Sequence, residues 1–261
     1  MRAWVHRFAL AFAFFAMSGP ASATSSNTDL SDLWWNSAKP GSGYQLVNTG
    51  TFVFATGFVY DPDMRPFWFS AELAKTQATE PTYTGTLFVS NGPFFGGPYD
   101  PSAVTFRDAG TMTFVLKTPE TGELAYILDG VVVAEKVARQ PLTLDDYSGR
   151  YSASYTVISS GCTNAGRSVS LVDVRIAQNA KSMLQVWTFP NGNICNYTGT
   201  YSQLGRMGRF DANYNCNTGE FGTRTMFEMT NTPQIFNGRI VELRTGNGCF
   251  RNGEVAGVIP R

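Results

Sequence analysis

The segment that decides the fold runs from Cys195 to Cys216 and reads CNYTGTYSQLGRMGRFDANYNC. On both sides of Gly205 the residues alternate between apolar and polar side chains, which is the pattern of a β-strand with one buried face. Folding the segment into a hairpin about Gly205 brings the two apolar faces together. A slip of one residue would turn one of these faces toward water, so the alternation fixes the register. The predicted cross-strand pairs are Tyr201 with Phe210, Gly199 with Ala212, Tyr197 with Tyr214, and Cys195 with Cys216.

All four cysteines lie in the second half of the chain, and the hairpin predicts how they pair. Directly opposed cysteines on one face are close enough to bond, so Cys195 should form a disulfide with Cys216. Cys162 follows the first strand of this half, and Cys249 opens its last strand. These strands are neighbours in a closed antiparallel barrel, so a Cys162–Cys249 disulfide would fasten the seam. No C-x-x-C spacing occurs, and we predict neither a metal site nor a cofactor.

The same alternation recurs along most of the chain, and helical periodicity is nearly absent. Turn signals such as Asp129-Gly130 and Asn191-Gly192 separate the alternating runs. The sequence therefore predicts an all-β protein of two antiparallel meander modules, each an up-and-down barrel or a sandwich of about eight strands. The predicted divisions are a signal peptide (1–23), a first β module (24–143) and a second, disulfide-bonded β module (144–261).

The first 23 residues have the features of a secretory signal peptide. Arg2 and Arg7 precede the apolar run 8–17, and Ala21-Ser22-Ala23 is a small-x-small cleavage signature. The sequence thus predicts an exported, soluble protein, periplasmic or extracellular, with no integral membrane segment. Cleavage would also remove His6, the only histidine. Its loss excludes histidine-dependent catalysis and histidine-ligated metal from the mature chain.

The net charge of the chain argues against nucleic-acid binding, and the distribution of the charge is compatible with other partners. The chain has 261 residues, of which 15% are charged, and a formal net charge of zero, so it has no large positive field to attract nucleic acid. The charge is uneven, because residues 24–144 sum to −5 and residues 145–261 sum to +3. Either the two halves dock on each other through matched charge, or the arginine-rich second half meets an anionic partner.

A tryptophan-rich segment opens the predicted mature fold. It resembles the Trp-Asn-Pro-Ala-Glu-Ser-Gly-Trp-Gly opening of a group of uncharacterised exported bacterial β-proteins. The matching residues are Trp35, Asn36, Ala38, Gly41 and Gly43, and the departures are Ser37, Lys39, Pro40 and Ser42. The resemblance implies export and a β-architecture, and it implies no activity.

Aromatic residues of the first half are the candidates for a ligand site. Trp68 shares a strand face with Ser70 and Glu72, which is typical of a platform that stacks on a sugar or another ligand. The alternative is a rim tryptophan that covers the barrel end or contacts the other domain. Of the adjacent Trp34 and Trp35, one should be exposed or covered by the other half of the chain, because successive strand residues face opposite sides. The candidate ligand-binding residues are Trp34, Trp35, Trp68, Tyr83, Phe94, Phe95 and Tyr99.

The last three candidates lie in the turn-rich segment 91–101. Three rings on a mobile loop would suit a lid or a recognition loop. The alternative is an Ω-loop that buries its own rings against the sheet.

Three functions are compatible with these features. The first is non-enzymatic binding of a small molecule or carbohydrate by the first half, and the second is a cell-envelope protein-interaction or inhibitor module that uses the arginines of the second half. The third is a hydrolase with a carboxylate pair; the acids available within or beside strands are Glu72, Glu80, Asp173 and Glu228. Ion pairing explains two of these acids without catalysis, since Asp173 can pair with Arg175 and Glu228 can face Arg209 on an adjacent strand. No catalytic residue is predicted.

Overall fold

The computed structural model describes residues 28–77, 79–140, 143–246 and 248–260. Its strands form two closed antiparallel barrels of eight strands each, and in each barrel the last strand pairs with the first. The prediction of an all-β protein with two antiparallel meanders is confirmed, and both modules are barrels. The predicted signal peptide, residues 1–23, lies outside the described residues. Across the described ranges, no helix is both long enough and apolar enough to traverse a membrane.

The first barrel has strands of four to fourteen residues. Its strands are β1 (Asp32–Trp35), β2 (Gly43–Asn48), β3 (Phe52–Tyr60), β4 (Pro66–Gln77), β5 (Thr82–Asn91), β6 (Thr105–Thr118), β7 (Thr121–Leu128) and β8 (Val131–Arg139). The β1–β2, β3–β4, β5–β6 and β7–β8 connections lie at one end, which we call the mouth. The other end, where the barrel begins and finishes, is called the closed end.

Trp34 and Arg139 plug the closed end. The Trp34 indole is fully buried, donates from Nε1 to the Leu30 carbonyl at 3.0 Å, and packs edge-on against Phe114 with ring centroids 5.0 Å apart. The guanidinium of Arg139 lies 4.7 Å from the centre of the Trp34 ring. Its charge is balanced by Asp32, whose carboxylate accepts a hydrogen bond at 2.8 Å. Trp34 and Arg139 together close the lumen below the core.

The second barrel carries both disulfides. Its strands are β9 (Gly149–Ser160), β10 (Gly166–Asn179), β11 (Ser182–Thr188), β12 (Ile194–Leu204), β13 (Met207–Cys216), β14 (Phe221–Asn231), β15 (Ile235–Arg244) and β16 (Phe250–Val258). The predicted hairpin register is confirmed pair by pair in β12 and β13. Both predicted disulfides are present: Cys195–Cys216 links these two strands, and Cys162–Cys249 lies where Ser160 of β9 pairs with Phe250 of β16. The second bond therefore does fasten the seam.

Arg209 lies opposite the bulged residues 227–228, but the expected ion pair with Glu228 does not form. Arg209 instead binds Asp211 on its own strand, with Nε to Oδ2 at 2.6 Å, while Glu228 accepts from Thr28 at 2.9 Å and pairs with Arg239 at 3.5 Å. The reason is a pair of β-bulges, one in the β13–β14 ladder and one in the β14–β15 ladder, with Glu228 at a positive φ of 50°. A bulge changes the direction of the side chains beyond it, which alternation alone cannot show.

Asp32 also joins the two barrels. Its carboxylate accepts the backbone N–H of Arg206, from the β12–β13 turn, at 2.8 Å. Gly205 in that turn has a φ of +57°, and a Cβ placed there would overlap the Asp32 carboxylate. The glycine is therefore required both by its backbone conformation and by the close approach of the carboxylate.

We expect Gly205→Ala to lower the free energy of unfolding by about 2–3 kcal/mol, because left-handed strain adds to displacement of a buried carboxylate from its hydrogen bonds. Gly192→Ala is the matched control, since Gly192 also has a positive φ but no atom within 4 Å of the added Cβ; it should cost about 1 kcal/mol. Urea unfolding of the two variants measures the difference. Equal losses would show that the Asp32 contact contributes nothing.

Candidate functional site

The mouth of the first barrel holds a cavity of about 540 Å³. Val59 of β3 and Phe67 of β4 line one side, and Tyr126 and Leu128 of β7 with Val133 of β8 line the other. In the order of the meander, β3 and β4 lie across the barrel from β7 and β8. The cavity is therefore the open end of the lumen and not a groove in the outer surface.

Three aromatic rings form the floor of this cavity. Tyr126 lies 5.1 Å from Phe69 and 6.2 Å from Tyr44, measured between ring centroids. Gly57 on β3 makes room for the Phe69 ring, because a Cβ at Gly57 would overlap it. Burial raises the pKa of both Tyr44 and Tyr126, so both phenols stay protonated at neutral pH. The Tyr126 hydroxyl is thus a neutral hydrogen-bonding group beside an apolar space.

The rim of the cavity is polar. Asp129, in the two-residue turn between β7 and β8, forms a two-pronged salt bridge with Arg107 at 2.5 and 2.6 Å. This hydrogen bonding holds the pKa of the Asp129 carboxyl below its usual range. Across the opening, Asp61 accepts the backbone N–H groups of Asp63 and Arg65 at 2.9 and 2.8 Å, which shapes the β3–β4 turn. The lumen is therefore apolar inside and charged at its edge.

One further ion pair ties the β1–β2 loop to the barrel wall. Glu135 points inward from β8 with its side chain only 6% exposed, and Lys39 reaches it from the loop at 2.6 Å. The hydrogen bond to Glu135 raises the pKa of Lys39. This contact holds the β1–β2 loop beside the mouth.

The structure divides the sequence-predicted ligand residues among three places. Trp34 and Tyr83 are buried in the core, and Trp35 is half-buried beside it. Trp68 stands on the outer face of β4 and is 50% exposed. The others, Phe94, Phe95 and Tyr99, lie in the β5–β6 loop at the mouth end. None of the seven lines the cavity wall, because alternation turns each of the strand residues either into the packed core or outward.

The aromatic loop does not bury its rings. Phe94, Phe95 and Tyr99 are 70%, 95% and 69% exposed, and the rings of Phe94 and Phe95 pack on each other at 4.8 Å. A short 3₁₀ turn, Pro101–Ala103, ends the loop, with Asp100 accepting the Ser102 N–H at 2.9 Å. The structure thus differs from an Ω-loop whose rings pack on the sheet.

Sequence reasoning missed the inward-facing residues that line the cavity, namely Val59, Phe67, Tyr126, Leu128 and Val133. Residues 52–60 have two apolar faces, one aromatic and one small, so the alternation did not say which face points inward. The volume of the side chains decides which face points inward. The lumen already holds Tyr44, Phe69 and Tyr126, and only the small face of β3, with Ala55 and Gly57, fits against them.

The interior of the second barrel is filled by charged and aromatic groups. The Arg224 guanidinium is fully buried, lies 4.2 Å from the centre of the Trp187 ring and 3.6 Å from that of Tyr197, and binds Glu242 at 2.6 Å. Glu242 in turn accepts from Arg251 at 2.6 Å. This network packs the middle of the barrel and leads to its disulfide-bonded end. Trp187 is fully buried in this core.

The arginine-rich second half does not present a free basic surface. Among the described residues of the second barrel, every arginine except Arg167 lies within 4.0 Å of a carboxylate oxygen. An anionic partner would therefore compete with the acids that already neutralise these arginines.

Three of the four acids considered for hydrolysis are engaged in ion pairs. Asp173 binds Arg150 at 2.7 Å on the outer surface, Glu80 binds Lys117, and Glu228 has the Arg239 contact described above. The fourth, Glu72, is exposed on the outer face of β4. These acids are dispersed over the two barrels and do not form a facing pair.

Comparison with known proteins identifies no similar protein. No protein-family model matches the chain, and neither a curated protein nor a solved structure is similar to it. In the part of the chain that the structure describes, no three His, Cys, Asp or Glu side chains are grouped to hold a metal ion.

Proposed function

We propose that this chain is an exported, non-enzymatic binding protein that holds a small, largely apolar molecule in the mouth of its first barrel. The observation that carries the proposal is the cavity of about 540 Å³ between β3–β4 and β7–β8. Pockets that hold drug-sized ligands enclose roughly 300–1,000 Å³, are lined mainly by apolar and aromatic side chains, and occur in the mouths of β-barrels.

The lining indicates the chemistry of the ligand. Val59, Phe67 and Leu128 supply apolar walls, against which burial of an apolar body is favourable. The Tyr126 hydroxyl can donate or accept one hydrogen bond, and the Arg107–Asp129 pair lies at the solvent edge. A ligand with an apolar body and a single polar group would satisfy both regions.

Two further features support the proposal. The predicted signal peptide and the two disulfides fit an oxidising compartment outside the cytoplasm. The acids that line the cavity are Asp61, which accepts backbone N–H groups, and Asp129, which is bound by Arg107. Neither is held ready as a general acid or base, which favours binding over catalysis.

The test is a fluorescence titration with N-phenyl-1-naphthylamine, an apolar probe. We expect the wild-type protein to bind it and Leu128→Trp to bind it at least about tenfold more weakly, because the indole occupies the cavity and removes apolar surface from the ligand. Ile127→Trp is the matched control. Ile127 is the preceding residue of β7, points outward and is 45% exposed, so its substitution should leave affinity unchanged.

Thermal melting of both variants checks that the barrel is intact. Equal probe affinity in wild-type protein and Leu128→Trp would contradict the proposal, as would a wild-type protein that does not bind the probe.

A further inference from the structure

The outer surface of β3 and β4 carries large aromatic side chains that the barrel itself does not use. Phe54, Phe58, Tyr60 and Trp68, here called the aromatic face, are 37%, 50%, 55% and 50% exposed. The inward positions of β3 are small because the lumen is full of rings. Nothing in the packing of the barrel requires bulky residues on the outside, where strands of this kind ordinarily carry polar side chains.

The aromatic face is regular. β3 and β4 pair over nine successive positions, from Phe52 with Ala74 to Tyr60 with Pro66, without a bulge. Phe58 lies directly opposite Trp68, so the two rings occupy neighbouring strands about 5 Å apart. The next outward pair is Thr56 with Ser70. One pair of hydroxyl groups therefore lies between Phe54 on one side and the Phe58–Trp68 rings on the other.

The low charge of the aromatic face favours a neutral binding partner over an anionic one. Of the outward-facing residues in 52–60 and 66–74, Glu72 is the only charged one. The cation nearest to Trp68 along these two strands, Arg65 in the connecting turn, is paired with Asp63. An anionic partner, such as nucleic acid, an acidic lipid surface or a polyanionic glycan, would therefore have to compete with this acid. A neutral partner that offers flat apolar faces and many hydroxyl groups matches the surface in both charge and hydrogen bonding.

We propose that the aromatic face binds a neutral polysaccharide chain. The C–H faces of its sugar rings would stack on Phe58 and Trp68 and desolvate both surfaces. Its hydroxyl groups would bond to Thr56, Ser70 and the Glu72 carboxylate. This site lies on the outer surface. Tyr60 also borders the cavity at the mouth, but the two stacking residues, Phe58 and Trp68, do not.

Affinity electrophoresis tests the proposal. The full chain is run in native gels that contain hydroxyethyl cellulose, glycol chitin or, as a polyanionic control, dextran sulfate. We expect retardation by at least one of the two neutral polymers and none by dextran sulfate. Trp68→Ala and Phe58→Ala should each weaken the retarding interaction by about tenfold, because each removes one stacking surface.

Two matched variants separate the aromatic face from the rest of the outer surface and from the cavity. Phe221→Ala removes an outward ring of similar exposure, 54%, from the second barrel, and should leave retardation unchanged. Leu128→Trp fills the cavity at the mouth and should also leave it unchanged, so failure of the small-ligand proposal would not imply failure of this one.

Three results would overturn the proposal. They are absence of retardation in both neutral polymers, equal retardation of wild-type protein and Trp68→Ala, and a dimer in sedimentation that Trp68→Ala abolishes. The last would assign the aromatic face to self-association.

Discussion

Replacing Glu242 with glutamine should lower the free energy of unfolding by about 3–5 kcal/mol, because it leaves the buried charge of Arg224 without its acidic partner. Both side chains are only 1% exposed, and Glu242 is the single carboxylate within 4.0 Å of Arg224 among the described residues. Water cannot reach the guanidinium to replace the lost interaction. Urea unfolding followed by far-UV circular dichroism measures the loss.

Two further variants show that the charge imbalance is the cause. Glu254→Gln alters an exposed acid on the outer face of β16 and should change stability by less than about 0.5 kcal/mol. The double variant Arg224→Met, Glu242→Leu removes both charges and should recover most of the loss. A double variant less stable than Glu242→Gln would contradict the assignment of the loss to an unpaired buried charge.

Loss of the Cys162–Cys249 disulfide should cost more than loss of Cys195–Cys216. The first bond joins residues 87 positions apart and the second residues 21 positions apart. A cross-link restricts the unfolded chain more when it closes a longer loop, which gives about 4–5 kcal/mol for the first and about 3 kcal/mol for the second. Alanine pairs at both sites, compared by urea unfolding, measure the order.

The Cys162–Cys249 bond also closes the only seam of the second barrel at which chain-distant strands, β9 and β16, must meet. Two results would contradict this explanation: equal losses of stability for the two disulfides, or a larger loss for Cys195–Cys216. Either result would show that the Cys162–Cys249 bond does not act mainly by restricting the unfolded chain.

The second barrel could be predicted in detail because its strands have one apolar and one polar face. In β12 and β13 the inward residues between the two cysteines are apolar or aromatic, except Gln203 near the turn. A single register therefore satisfies both strands, and the Cys195–Cys216 bond follows from it. The same alternation places the buried ion pair in the lumen. Arg224 shares a face with Met226, and Glu242 shares a face with Ile240, both of which are core residues.

The site in the first barrel could not be predicted in the same way. Where both faces of a strand are apolar, as in β3, alternation gives the period but not the direction. Which face points inward depends on how much volume the opposite strands have already filled, and here Phe69 and Tyr126 leave room only for small residues. The cavity residues therefore emerge from packing across the lumen, which no single strand encodes.

The adjacent tryptophans illustrate a second limit. The sequence predicts that one of Trp34 and Trp35 is exposed or covered by the other half, and the structure buries Trp34 fully and leaves Trp35 half-buried. The sequence did not predict that the buried ring would lie beneath an arginine. Arg139 reaches it from the last strand of the barrel, more than a hundred residues away along the chain. Such contacts between the first and last strands become visible only once the barrel has closed.

Native mass spectrometry of the protein, purified gently from cells that export it, gives the sharpest test of the ligand site, with wild-type protein and Leu128→Trp measured side by side. We expect a discrete added mass on the wild-type protein that is lost on denaturation and is absent from Leu128→Trp. A wild-type protein without any added mass, or the same added mass on both proteins, would contradict the assignment of a ligand to the mouth of the first barrel.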